Sequence, residues 1–218
     1  NFLVNDNSIK LFSENSTLVN KDFGLKGSIN LRPFIFNINL DFEKIDFGKL
    51  LNIDSLLKNL LEKNIISHHN FNGSIFAKIN NIGRSKIFSK ANIFVNFKNG
   101  KVNLDNTELY LKNYASIKFF NTKIVEIKKI SLLTASAVLI INNDNKFFQR
   151  FQVLKKNRIP VKEIYFEIEK NLTSDEFKIL NMKIISSKKN YPKENFEDFL
   201  TLYNQDKNSQ TTGLIKLN

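Results

Sequence analysis

The chain reads as a mainly β protein, on three observations. Apolar and polar residues alternate with period two along much of its 218 residues. Four stretches begin with glycine and continue in that alternation, at 27–31, 73–77, 100–104 and 213–217. Asn-Gly pairs stand at 72–73 and 99–100, and such pairs favour the tight turns between adjacent strands because both residues tolerate positive φ. The glycine-led phrases are read as strands entered from turns, a loose β repeat with irregular spacing.

Taken in order, the clearest strand runs from Phe34 to Phe42, where Phe34, Phe36, Ile38, Leu40 and Phe42 alternate with Asn37, Asn39 and Asp41. Successive side chains of an extended backbone point to opposite faces, so this segment has one apolar row and one wet row. Between Asp54 and Lys63 the period changes, and Leu56, Leu57, Leu60 and Leu61 form a helical stripe behind an Asp54 N-cap. This predicts a short amphipathic helix inserted near 46–66. Alternation returns at Ile87, Ser89, Ala91, Ile93, Val95 and Phe97, opposed by Lys90, Asn92 and Asn96. Leu109 with Leu111, then Ala115, Ile117 and Phe119, make shorter rows.

The run from Ile130 to Ile141 is too short to cross a membrane as a helix and carries Ser131, Thr134 and Ser136. The polar residues Asn142 to Asn145 are read as a turn that closes it. Ile164, Phe166 and Ile168 then alternate with Tyr165, Glu167 and Glu169. After Pro192, the spacing of Phe196, Phe199, Leu200 and Tyr203 predicts a second amphipathic helix. The chain thus divides into a β segment over 1–190 and, over 191–218, a helix, a polar linker and the start of a further strand. One wet face per strand predicts antiparallel pairing, and the short connections predict a meander. Opening at Asn1 inside an apparent strand and stopping as another begins, the chain reads as a piece of a longer protein.

Composition narrows the chemistry. There is no cysteine, which removes disulfide scaffolds and thiolate catalysis without assigning a compartment. The net charge is +12, yet the lysines are scattered, with Lys155 to Arg158 and Lys188-Lys189 as the densest groups. That distribution predicts a solvated surface with weak attraction to anionic headgroups, and no nucleic-acid groove. The 21 Phe with no Trp and few Gly match an AT-rich coding bias. His68 and His69 are adjacent, so a strand would turn them to opposite faces and away from a shared metal. Glu167 and Glu169 are read as the exposed row opposite Phe166 and Ile168. Glycine-rich phosphate loops and nucleophile elbows are absent. The sequence predicts no enzyme, no cofactor and no metal. Its one-sided apolar strands need a cover: a second layer filling a sandwich core, or a ligand held in a sheet curled on itself.

Residues 25–51 join the glycine-led strand, Pro33, the alternating strand and Ile45-Asp46-Phe47 ahead of Leu50-Leu51, and they resemble a phrase of AsmA-like envelope proteins. Residues 71–77 follow in the same order. Residues 94–104 are similar to the family's strand–Asn-Gly–strand hairpin, and 147–153 with 159–164 to its C-terminal region. The resemblance covers about residues 20–185, rests on pattern and carries no catalytic residue. It implies the bridge-like lipid-transfer proteins related to AsmA, YhdP and TamB. The fold it implies is an elongated antiparallel β-sheet curled into a taco-like apolar groove, with the two short amphipathic helices. The implied setting is the periplasm of Gram-negative bacteria, with an inner-membrane anchor expected outside this chain. Phospholipid acyl chains are then the partners, with the inner and outer membranes reached through the rest of the full-length protein. The expected groove lining is Phe34, Phe36, Ile38, Leu40, Ile93, Val95, Phe97, Phe166 and Ile168. The rival expectation is a structural or assembly scaffold of the envelope, with a filled β-sandwich core and no cargo.

Overall fold

The computed structural model describes residues 1–17, 22–46, 68–127, 130–158, 160–172, 174 and 176–186. Their strands are β1 (Phe2–Asn5), β2 (Ser8–Thr17), β3 (Asp22–Leu31), β4 (Phe34–Phe42), β5 (Ile45–Asp46), β6 (Asn72–Ile79) and β7 (Ile82–Gly83). There follow β8 (Lys90–Lys98), β9 (Lys101–Asn103), β10 (Glu108–Leu111), β11 (Ala115–Ile127), β12 (Ile130–Ile141), β13 (Val161–Asn171) and β14 (Phe177–Ser186). One helix, α1 (Asp144–Arg150), and a 3-10 turn (Lys155–Asn157) stand between β12 and β13.

Twelve of the strands form one sheet, in the order β1-β2-β3-β4-β6-β8-β10-β11-β12-β13-β14, with β9 paired to β8. The sheet does not close, since β1 and β14 are its two ends. β5 and β7 form a separate two-stranded ribbon. The β-rich class and the meander agree with the sequence over β1–β4 and β10–β14. The antiparallel expectation fails at two places among the described residues: β5 and β7 pair in parallel in the ribbon, and β4 and β6 do so in the large sheet, Ile35 opposite Asn72 through Phe42 opposite Ile79. Parallel neighbours need a crossover of a dozen residues or more, and the chain between β4 and β6 supplies it. The sheet is therefore mixed. The helix predicted near 46–66 lies outside the described residues beyond Asp46, and so do the helix, linker and strand predicted over 191–218.

The glycine-led phrases are not equivalent. Asn99 and Gly100 have φ of 52° and 73° and make the tight turn between β8 and β9, as their sequence predicts. Gly27 instead lies inside β3 and Gly73 is the second residue of β6, so Asn72-Gly73 is not a hairpin turn. The Asn72 side chain accepts from the Asn99 N–H at 2.9 Å and so braces the β8–β9 turn.

Gly73 has a packing role. It sits between Phe36 and Phe97 on one face of the sheet, and the two rings approach to 5.6 Å across it. Phe71 completes the group, 5.0 Å from Phe36 and 5.3 Å from Phe97. A methyl group at Gly73, where φ is +154°, would fall against the Phe36 carbonyl oxygen and within 2.6 Å of its ring.

The polar stretch 142–145 is a helix start and not a turn. The Asn143 side chain accepts from the Lys146 N–H at 3.0 Å, and Asp144 occupies the first turn, where a negative charge meets the exposed amide groups. Phe147, Phe148 and Phe151 then lie against the sheet around Leu111, Ala115, Leu139 and Ile141.

Gly73→Ala should destabilise the fold by about 1–3 kcal/mol, the usual range for forcing an extra methyl group into a packed core. The check is the urea midpoint at unchanged slope. A midpoint equal to that of the parent would show that the aromatic group does not need the gap.

A single apolar face

Residues directly opposite one another in a sheet share a face, so the register assigns every side chain to a side. The rows Phe23–Phe42–Ile79–Ala91, Leu25–Leu40–Ala77–Ile93, Gly27–Ile38–Ile75–Val95 and Ile29–Phe36–Gly73–Phe97 cross β3, β4, β6 and β8 on one face. The rows Ile117–Leu139–Ile164–Ile184 and Phe119–Ala137–Phe166–Met182 continue that face over β11 to β14. Ala91 opposite Leu109, and Leu109 opposite Ile117, link the two halves. At the other end, Phe2 and Val4 extend it through Leu11 and Ile9. The reverse face carries Lys26, Asn39, Asp41, Lys78, Asn92 and Lys118, with Phe76, Phe94, Phe120, Ile140 and the buried Val138 scattered among them.

The register slips by a residue in β2, β11, β13 and β14, and in β11 and β14 the apolar face is carried through the slip. The β11 ladder is irregular between Phe120 and Lys123, so the face passes from Phe119 to Ile124. Asn121 takes φ 52° there. In β14 the slip between Asn181 and Ile179 leaves Leu180 as the extra residue, 55% exposed. Each of these latter slips changes which sequence positions are apolar and leaves the apolar side unchanged.

Polar side chains complete the ladder where strands are short. Neither β9 nor β10 reaches Phe94, and the Thr107 hydroxyl takes their place: it accepts from the Phe94 N–H at 3.0 Å and donates to its carbonyl at 3.2 Å. At the β11 irregularity, buried Thr122 gives both its N–H and its hydroxyl to Asp105 Oδ1, at 2.7 and 2.8 Å. These bonds satisfy groups that would otherwise be desolvated without partners.

The apolar face is covered unevenly. One buried cluster joins Phe36, Val95, Phe97 and Val102. A second, of Phe42, Ala77, Ile79 and Ala91, lies against Ile82 and Ile45 of the β5–β7 ribbon. The third, of Leu111, Ala115, Leu139, Ile141 and Val161, lies against α1. All nine residues predicted to line a groove lie on this face. Phe36, Val95 and Phe97 are only 3–7% exposed, closed off by the protein's own packing. Ile38, Leu40, Ile93, Phe166 and Ile168 are half-buried, and Phe34 is 37% exposed. The sequence reading left out Leu11, Leu25, Phe119 and Leu133, which are half-buried on the same face. For Phe119 the signal was its short alternating row.

His68 and His69 are exposed: His68 Nδ1 accepts from the Asn70 N–H, and His69 Nδ1 lies 3.3 Å from the Asn99 carbonyl oxygen. On the reverse face two Glu-x-Tyr pairs place an acceptor and a donor two residues apart on one strand. Tyr110 donates to Glu108 and Tyr165 to Glu163, both at 2.8 Å. The bond to Glu108 raises the Tyr110 pKa above its ordinary value of 10.0, helped by burial and by the carboxylate charge and opposed by an Asn92 N–H. The bond to Glu163, with the same two aids, raises that of Tyr165. No family model, curated protein or solved structure matches this chain.

A raised phenol pKa means the folded state favours neutral Tyr110. Its contribution is complete below the unfolded value of about 10 and is lost as pH rises through the higher folded value. Tyr110→Phe should cost about 0.5–1 kcal/mol at neutral pH, because the bond is open to water, and progressively less above pH 10. Urea titrations of both proteins across that range check it; a deficit independent of pH would contradict the assigned bond.

Proposed function

We propose that this chain is a segment of an AsmA-like envelope protein. It carries phospholipid acyl chains along an apolar groove made by its sheet, between the inner and outer membranes, and performs no catalysis. The observation that carries the reading is the single apolar face running from β1 to β14 with much of its middle half-buried. Apolar surface left in water costs about 25 cal/mol per Å², and an acyl chain laid over it recovers that free energy without directional bonds. Contacts of that kind are individually weak and repeated along the face, which suits sliding better than capture at one spot. Headgroups stay at the wet margin, where Lys and Asn side chains meet water. The setting is the periplasm, with the inner-membrane anchor on another part of the full-length protein.

The rival reading is a cargo-free scaffold of the envelope. Burial of Phe36, Val95 and Phe97 favours it locally, since there the protein fills its own interior. Native mass spectrometry of the purified chain separates the two readings: bound phospholipid is expected for the conduit and a clean apo mass for the scaffold. Replacing Ile38 and Ile168 together by Asp should abolish lipid co-purification while far-ultraviolet circular dichroism stays unchanged. Equal lipid content in the parent and the double variant would contradict the lining.

A further inference from the structure

The end of the sheet around α1 gathers basic side chains from separate parts of the chain. Arg150 on α1 donates from Nη2 to the Lys86 carbonyl at 2.9 Å and fixes the β7–β8 loop beside the helix. The Asn142 and Asn143 N–H groups donate to the Tyr114 carbonyl at 2.8 and 3.1 Å, which brings the β10–β11 turn and its Lys112 to the same place. Lys146 lies on α1, and Lys155 and Lys156 follow in the 3-10 turn. Lys86, Lys112, Lys146, Lys155 and Lys156 are exposed. Among the described residues none of these six cations is in an ion pair.

An apolar side chain projects from this basic rim. Leu154, directly before Lys155, is 61% exposed, while Phe147, Phe148 and Phe151 pack inward on the sheet. The exposed apolar group on β1, Phe2, Leu3 and Val4, has one exposed cation opposite it, Lys10 on β2, where Leu154 is followed directly by two. An exposed Leu next to two exposed cations, at a sheet end that carries four more, matches the layered chemistry of an anionic bilayer surface, with headgroup charge outside and acyl region beneath. A nucleic acid would use the cations and leave the Leu with no favourable place.

We infer that the α1 end of the sheet docks on an anionic lipid bilayer, with the cations on the headgroups and Leu154 dipping between them. The inference stands apart from the acyl-chain conduit, because it concerns the end of the sheet and needs no cargo.

Flotation of the 218-residue chain with vesicles of phosphatidylcholine, with and without phosphatidylglycerol, tests it. Binding is expected only with phosphatidylglycerol and should fall with salt. Changing Lys146, Lys155 and Lys156 together to Gln should weaken partition by roughly fivefold per cation removed. Leu154→Ser should weaken it further at unchanged salt dependence. As a control of equal charge change, Lys10, Lys26 and Lys118 on the polar face are replaced by Gln, and binding should persist. The inference is overturned if the two triple variants lose binding equally, if the parent ignores phosphatidylglycerol, or if duplex DNA is bound at a salt concentration where vesicles are not. A parent chain that purifies free of phospholipid yet still docks on the vesicles would count against the conduit alone.

Discussion

Every long strand of this sheet turns its apolar side the same way, and the rest of the structure follows from that constraint. A strand offers two faces at a period of two, so a one-residue error would move a whole row from the dry side to the wet side. The face survives a parallel crossover between β4 and β6 and slips in β11 and β14. Large and small residues alternate along its rows. Gly73 lies between Phe36 and Phe97, and Ala137 between Phe119 and Phe166, so bulky rings share the room left by their neighbours. Such fitting closes part of the face without a second sheet.

Among the described residues the cover is local. The β5–β7 ribbon and α1 lie over one end, and the Phe36–Phe71–Phe97 group fills part of the other. Between and beside them the strands keep half-buried Leu, Ile and Phe. The side-chain bonds of Thr107 and Asp105 maintain the ladder where β9 and β10 are too short, so the sheet stays continuous beneath the apolar side.

Much of this was legible in the sequence because period-two alternation is a direct consequence of strand geometry. β4 was readable end to end, β8, β10 and β13 in large part, and β11 only as far as Phe119. The limits have physical causes. The parallel pairing of β4 and β6 depends on a long connection that alternation does not encode. The phase of β14 changes at Leu180, so no single alternating row spans it. α1 is only seven residues long, and its Asn143 cap has the same composition as a turn. Gly73 resembles a turn glycine because Asn precedes it, and only the ring opposite reveals its use. Of the predicted lining, the shared face was legible. The closure of Phe36, Val95 and Phe97 was not, because it depends on Phe71 and on contacts between distant strands.

The central claim is that the uncovered part of the apolar face accepts an acyl chain. Photolabelling of the chain with a diazirine-bearing fatty acyl probe, followed by peptide mapping, tests this most directly. The account predicts label on the peptides that carry Phe119, Leu133 and Ile168. Label confined to the polar side or to the β1 edge, or no label above that of a denatured control, would contradict it.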